Sequence, residues 1–243
     1  MNEGVKLSDW HTDQIEYLAR CGSEEMLLRR LEQQAAELGF EYFAFGIRSP
    51  LPLTRPRVVV HNNYPADWQR RYVEQGYLST DPSIIKALRS SLPVIWSERL
   101  FSENIQLWEE ARSCRLKFGW AQSRIDGNGI QSLLTLARSD RAIPQEEVVS
   151  KAHRLLWLVS LLHQRFLDTL GGTLVPELPA KLVEREVEVL RWTAEGKTSA
   201  DIADILRISE RTVNFHLNNA SAKLGTCNKT AASVKAALLG LIW

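Results

Sequence analysis

The sequence predicts an α+β protein, with an N-terminal α/β/α sandwich around an antiparallel sheet and then a separate all-α domain of four helices. Three observations carry that expectation. Short β-like runs flanked by helical spacing fill the first two thirds of the chain, and two of them meet at Asp126-Gly127-Asn128-Gly129, a hairpin signal because such turns need positive φ. A break then stands at Gly171-Gly172-Thr173-Leu174-Val175-Pro176-Glu177-Leu178-Pro179, where paired glycines and prolines read as a helix stop, a linker and a new start. Beyond it, every apolar residue falls at helical spacing.

Taken in order, residues 9–20 and 24–38 have helical spacing, with Ser23, Glu24 and Glu25 forming a capped start to the second. Phe40 to Ile47 and Val58-Val59-Val60 read as strands. Helices are expected near 66–76, 82–91 and 102–117, with a strand at Pro93 to Trp96 between the last two. The hairpin joins Trp120–Ile125 to Ile130–Ala137, and residues 145–169 form one long amphipathic helix. The boundaries that follow are 1–170 for a first domain, 171–180 for the linker and 181–243 for a second domain. Charge adds little, because residues 180–243 carry nine Lys/Arg against seven Asp/Glu.

Composition excludes several classes. The 243 residues are 44% hydrophobic and 24% charged, an ordinary globular mix, and 30 Lys plus Arg nearly balance 29 Asp plus Glu. Three scattered cysteines (Cys21, Cys114, Cys227) rule out a disulfide framework and a four-cysteine zinc site, and they fit a reducing cytosol. Apolar runs such as Leu155 to Leu162 fall short of a membrane span, and Met1-Asn2-Glu3-Gly4 opens no signal peptide. A cytoplasmic location with no membrane partner follows as the expectation. His11, His61, His153, His163 and His216 have no metal-ligand spacing and no Gly-x-Ser-x-Gly elbow occurs, so neither a metal nor a catalytic set is expected, and a lactone-processing enzyme is disfavoured.

Within the last sixty residues, 183–194 form a helix with Val187, Leu190 and Trp192 or Thr193 facing a core. Gly196 ends it, Thr198 or Ser199 caps a short second helix, and Ile208 closes a tight turn. Ser209 caps a third helix with Glu210 in its first turn. Val213 and Leu217 point inward there, while Arg211, Asn214, Phe215, Asn218 and Lys223 lie elsewhere on its surface. This is helix-turn-helix geometry, whose second helix enters a DNA major groove. Lys197, Arg211 and Lys223 suit phosphates, and an Asn amide can pair bidentately with adenine.

Leu182 to Trp192, Gly196-Lys197-Thr198, Ile202 to Leu206, Ser209 to His216, Lys223-Leu224 and Asn228-Lys229-Thr230 together resemble the LuxR-type helix-turn-helix, with Glu186, Leu190 and Gly196 at signature positions. The resemblance implies that Asn214, Phe215 and Asn218 touch base edges, and Thr198, Ser209 and Thr212 complete the expected DNA-facing set. It also implies a double-stranded promoter as partner, with RNA polymerase nearby.

The first domain carries a second constellation. It comprises Asn63-Tyr64-Pro65-Ala66-Asp67-Trp68, Arg71-Tyr72, Tyr77, Asp81-Pro82 and Pro93 to Trp96. On a helix, Tyr64, Trp68 and Tyr72 would share one face. Taken alone, such a stripe reads as core and Asp81-Pro82 as a helix cap; equally, an apolar pocket with a few convergent polar groups would bind an amphipathic ligand. The elements resemble, in order and spacing, the autoinducer-binding domain of LuxR-family quorum-sensing transcription regulators, which bind N-acyl-homoserine lactones. The resemblance implies that the Trp68 indole holds the lactone carbonyl, Tyr64 the acyl carbonyl and Asp81 the amide N–H. Trp96 would pack on the ring, Thr135 add a polar contact, and Tyr72, Phe101, Leu107, Ala111 and Leu116 line the cavity. Ser123 departs from the Pro found in many relatives, and Arg124 beside it reads as an outward-facing strand residue. The expected protein is a homodimer reading a palindromic operator, with no cofactor beyond its small-molecule autoinducer. The alternative is a regulator of this type that answers another small molecule or none.

Overall fold

The computed structural model describes residues 23–176 and 181–242. The helix expected over 9–20, Cys21 and His11 lie outside these residues.

Helix α1 (Glu24–Glu37) starts where Ser23 accepts the Met26 N–H, and it buries Leu27 and Leu31. Strands β1 (Tyr42–Arg48) and β2 (Val58–Asn62) follow, then α2 (Ala66–Glu74), a single 3-10 turn (Tyr77–Ser79) and α3 (Pro82–Ala87). The short strand β3 (Val94–Ile95), helix α4 (Ile105–Ser113) and the hairpin strands β4 (Phe118–Ile125) and β5 (Gln131–Arg138) lead to helix α5 (Gln145–Leu174). The five strands make one antiparallel sheet in the order β2-β1-β5-β4-β3, with Val94 opposite Ala121. Asp126 forms the hairpin turn by accepting the Asn128 and Ile130 N–H groups, with Gly129 at φ 70°.

Alternation sorts the sheet into two faces. Phe43, Phe45 and Ile47 of β1 point one way, and Phe45 stacks on Phe166 of α5 with ring centroids 4.7 Å apart. Ser132 on β5 shares this face, its hydroxyl 2.8 Å from His163 Nδ1 of α5. Tyr42, Leu133 and Ala137 point the other way, against clusters built by α2, α3 and α4. Helices on both faces of an antiparallel sheet are the sandwich expected from the sequence.

The second unit is helical. Its α6 (Glu184–Ala194), α7 (Ser199–Leu206), α8 (Glu210–Leu224) and α9 (Lys229–Leu238) enclose Val189, Leu190, Ile202, Val213, Leu217, Ala220 and Leu224. Of the inward residues expected on α6, Leu190 is fully buried and Val187 and Trp192 pack at the margin, while Val189 joins Leu190 in the interior.

Two local expectations are corrected. The glycine pair does not stop α5, which runs through Gly171 and Gly172 to Leu174. A Cβ at either position would meet no atom within 4 Å, so the helix passes through them unobstructed. Helices α2, α3 and α4 are also shorter than their patterns, because capping sets their ends. Asn104 caps α4 by accepting the Leu107 N–H, and Asp81 caps α3 by accepting the Ser83 N–H. Among the described residues, no helix is long and apolar enough to cross a membrane.

Candidate functional site

The first site sits beneath α2 and α4. Trp68, Phe101, Leu107, Ala111 and Leu116 are buried in one cluster, and Tyr64, Tyr72 and Trp96 pack against it. Tyr64 is not on the helix as its spacing suggests. It precedes the start of α2 at Pro65, and its ring meets Tyr42 edge-on at 6.4 Å, so proline places it on the strand side of the cluster. Trp68 and Tyr72 do share a face of α2, one turn apart, with ring centroids 5.5 Å apart.

Asp81 supplies the charge. Its carboxylate is 6% exposed and accepts the Tyr72 hydroxyl at 3.0 Å, the Ser83 N–H at 2.8 Å and the Ser83 hydroxyl at 2.6 Å. Burial raises its pKa above the ordinary 3.8, against the pull of those donors. Burial, with the Asp81 charge nearby, also raises the pKa of Tyr64 and Tyr72, so both phenols stay protonated. Asp81 is thus both the N-cap and the buried acceptor that the two sequence readings offered. Thr135 lies on β5 between Leu133 and Ala137, buried on the same sheet face but outside the aromatic cluster.

Several residues of this site are absent from the expected set. Trp108 stacks on Phe101 at 4.8 Å, and Tyr77 stacks on Trp68 at 6.0 Å. Helical spacing offered a signal for Trp108, which lies one turn from Ala111. Glu110 ties α4 to α2: it receives Arg71 through two bonds of 2.6 and 2.8 Å, with the Tyr77 hydroxyl at 2.9 Å. These donors, Arg71 first, hold the Glu110 pKa at about 2. Outside this wall, Trp96, Trp108, Ile105, Arg112 and Phe118 border a cavity of about 610 Å³, and of the ten expected ligand residues only Trp96 reaches it.

Trp96 owes its place to a glycine. A Cβ at Gly119 would stand 2.2 Å from the Trp96 ring. Gly119→Ala must therefore push the indole away. We expect a loss of about 1–3 kcal/mol in urea unfolding, with a changed aromatic circular dichroism signal. An unchanged signal would show that the ring does not lie over the strand.

The second site is the helix-turn-helix of α7 and α8. Thr198 accepts the Asp201 N–H while its own N–H donates back to the Asp201 carboxylate at 2.9 Å, a reciprocal cap. Those Thr198 hydrogen bonds lower the Asp201 pKa. Arg207 turns the chain in the left-handed region at φ 52°, and Ser209 caps α8 by accepting the Thr212 N–H at 3.1 Å. Lys197, Arg211, Asn214, Phe215 and Asn218 are exposed, Phe215 by 59%. Lys223 is a correction. Its ammonium donates to Glu186 at 2.7 Å, and Glu186, 2% exposed, also accepts the Val183 N–H that opens α6. A cation needed by a buried carboxylate holds the helices together rather than waiting for a phosphate. Arg124 is exposed, as expected, and Ser123 donates to the Ser90 carbonyl. Among the described residues, no group of His, Cys, Asp or Glu could hold a metal ion.

Comparison with known proteins agrees with both sites. Residues 23–166 match the family described as Autoinducer binding domain, and residues 180–236 that described as Bacterial regulatory proteins, luxR family. The chain is 39% identical to the transcriptional activator protein AnoR of Acinetobacter nosocomialis over 238 residues, 97% of this chain and 100% of AnoR. It is 43% identical to the quorum-sensing regulator RhlR of Pseudomonas aeruginosa over 212 residues, 87% and 88% of the two chains. Among solved structures, that of SdiA, a regulatory protein of Escherichia coli, in complex with octanoyl-rac-glycerol superposes with a TM-score of 0.80. The identity is 35%, over 100% of this chain and 98% of that one.

Proposed function

The chain belongs to the luxR family of bacterial regulatory proteins, with an autoinducer-binding domain ahead of its helix-turn-helix, and we propose that its autoinducer is an N-acyl-homoserine lactone. It is a quorum-sensing transcription regulator that binds a small molecule and DNA, not an enzyme. The observation that supports the lactone is the buried Asp81 carboxylate at the edge of an aromatic cluster. A lactone of this class brings one amide N–H and two carbonyls. Asp81 accepts the first, and the Tyr64 hydroxyl and Trp68 indole donate to the others. Trp96 packs on the ring, Thr135 adds a polar contact, and Tyr72, Phe101, Leu107, Ala111 and Leu116 surround the acyl chain.

The proposal divides the chain into a ligand-binding and dimerising domain over 1–170, a linker over 171–180 and a DNA-reading domain from 181. The protein works in the cytoplasm as a homodimer on a palindromic operator, and it acts through RNA polymerase. Lys197, Thr198, Ser209, Arg211 and Thr212 hold phosphates, while Asn214, Phe215 and Asn218 face the bases.

Thermal melting against a panel of lactones tests this reading. At a hundredfold excess over the dissociation constant, binding stabilises by about 2.7 kcal/mol, a rise of roughly 5–10 °C for a chain of this size. A second reading has a specific observation behind it, the octanoyl-rac-glycerol bound by SdiA. If octanoylglycerol raises the melting temperature and no lactone does, the ligand is an acylglycerol-like amphiphile and the lactone proposal falls.

A further inference from the structure

Ser199 and Asn214 come from the two helices of the helix-turn-helix. Ser199 is the first residue of α7, 8% exposed and fixed behind the Thr198 cap; Asn214 stands in the second turn of α8, on its exposed side. The Ser199 hydroxyl donates to Asn214 Oδ1 at 2.9 Å. An asparagine amide carries one carbonyl and one NH₂. Bidentate pairing with adenine uses both, the NH₂ toward N7 and the carbonyl toward the N6 amine. With the carbonyl turned inward to Ser199, the NH₂ is left on the solvent side.

We propose that Ser199 is a positioning residue that makes Asn214 a donor-only reader. Asn214 then favours a base whose major-groove edge presents acceptors, guanine with O6 and N7 or thymine with O4, over the bidentate adenine pairing that Asn otherwise invites. This rests on the reading above, in which α8 enters the major groove.

The test is selection from a pool of duplexes carrying a randomised, two-fold-symmetric site. It uses the full chain in the presence of N-octanoyl-homoserine lactone, for wild type, Asn214→Ala, Ser199→Ala, Ser199→Thr and Asn214→Asp. The half-site position whose preference vanishes in Asn214→Ala should carry guanine or thymine in the wild type. Ser199→Ala frees the carbonyl and should move that position toward adenine, by on the order of tenfold in relative enrichment, while Ser199→Thr restores the wild-type preference. Should Ser199→Ala fail to fold, Asn214→Asp carries the test. It keeps the inward acceptor and puts an oxygen where the N–H was, so the preference should move to cytosine or adenine. Adenine at that position in the wild type, or no shift in either the Ser199→Ala or the Asn214→Asp protein, overturns the proposal. If wild type and Asn214→Ala enrich the same bases, Asn214 reads nothing and the proposal falls while DNA reading by α8 stands. If wild type enriches no duplex, both fall.

Discussion

Glu147→Ala should cost roughly 3–5 kcal/mol of unfolding free energy, the penalty for stranding a buried charge. The charge is Arg138 at the end of β5, 1% exposed. Its two terminal nitrogens donate to Glu147 at 2.9 and 2.7 Å, and its remaining contacts are carbonyls of Gly39, Arg141 and Ala142. Lys151 donates to the same carboxylate at 2.6 Å, so removing Glu147 leaves two cations facing each other over Phe40. Urea unfolding measures the loss, and Glu147→Gln, which keeps an acceptor, should lose less.

The same pair sets an acid limit. Arg138, assisted by Lys151, holds the Glu147 pKa at about 2 against an ordinary 4.5. A carboxylate with a depressed folded pKa stabilises the native state above its unfolded value and loses that contribution as the pH falls. Stability should therefore decline from about pH 4.5 toward 2, and less steeply in Glu147→Ala. A variant with wild-type stability, or an unchanged acid slope, would show that the pair contributes nothing.

Asp81→Asn should weaken lactone binding by roughly ten- to a hundredfold, the cost of about 1.5–3 kcal/mol for losing a hydrogen bond to a charged group. The asparagine carbonyl can still accept the Ser83 N–H that caps α3, so the fold survives. Its amine replaces the oxygen that accepts Tyr72, and a ligand N–H then meets a donor. Calorimetric titration and the melting shift both read this loss. Because burial raises the Asp81 pKa, the wild-type response should also fail at a higher pH than an ordinary carboxylate would allow as the solution is acidified. A full response in Asp81→Asn would remove Asp81 from the ligand site.

Much of this was legible in the sequence, for reasons that differ by region. The helix-turn-helix was plain because its caps are local: Thr198, Ser209 and Gly196 act on neighbours within four positions. The hairpin was plain because Asp126 and Gly129 specify their own turn. The aromatic cluster could be listed from its spacing and its family resemblance, but not its wiring. Arg71 and Glu110 stand 39 positions apart, and no local pattern announces that they meet. Lys223 misled for the same reason, since its partner Glu186 lies 37 positions away. Tyr64 misled because periodicity ignores the backbone limits of the proline after it. The glycine pair read as a stop because glycine is costly within a helix, but cost is not prohibition.

That last point has a consequence for how the protein is built. Glycine in a helix interior gives up about 0.5–1 kcal/mol relative to alanine, and α5 places two of them in its final turns, where neither touches a neighbour's side chain. The stretch before the linker is thus a rod whose tip is held with little energy to spare. A few tenths of a kcal/mol decide whether those residues count as 1.5 Å per residue of stiff spacer or as a slack tether with a longer reach. The span available to two DNA-reading heads is then set by two hydrogen atoms where methyl groups could stand, and replacing both with alanine would trade reach for rigidity without disturbing a single packed contact.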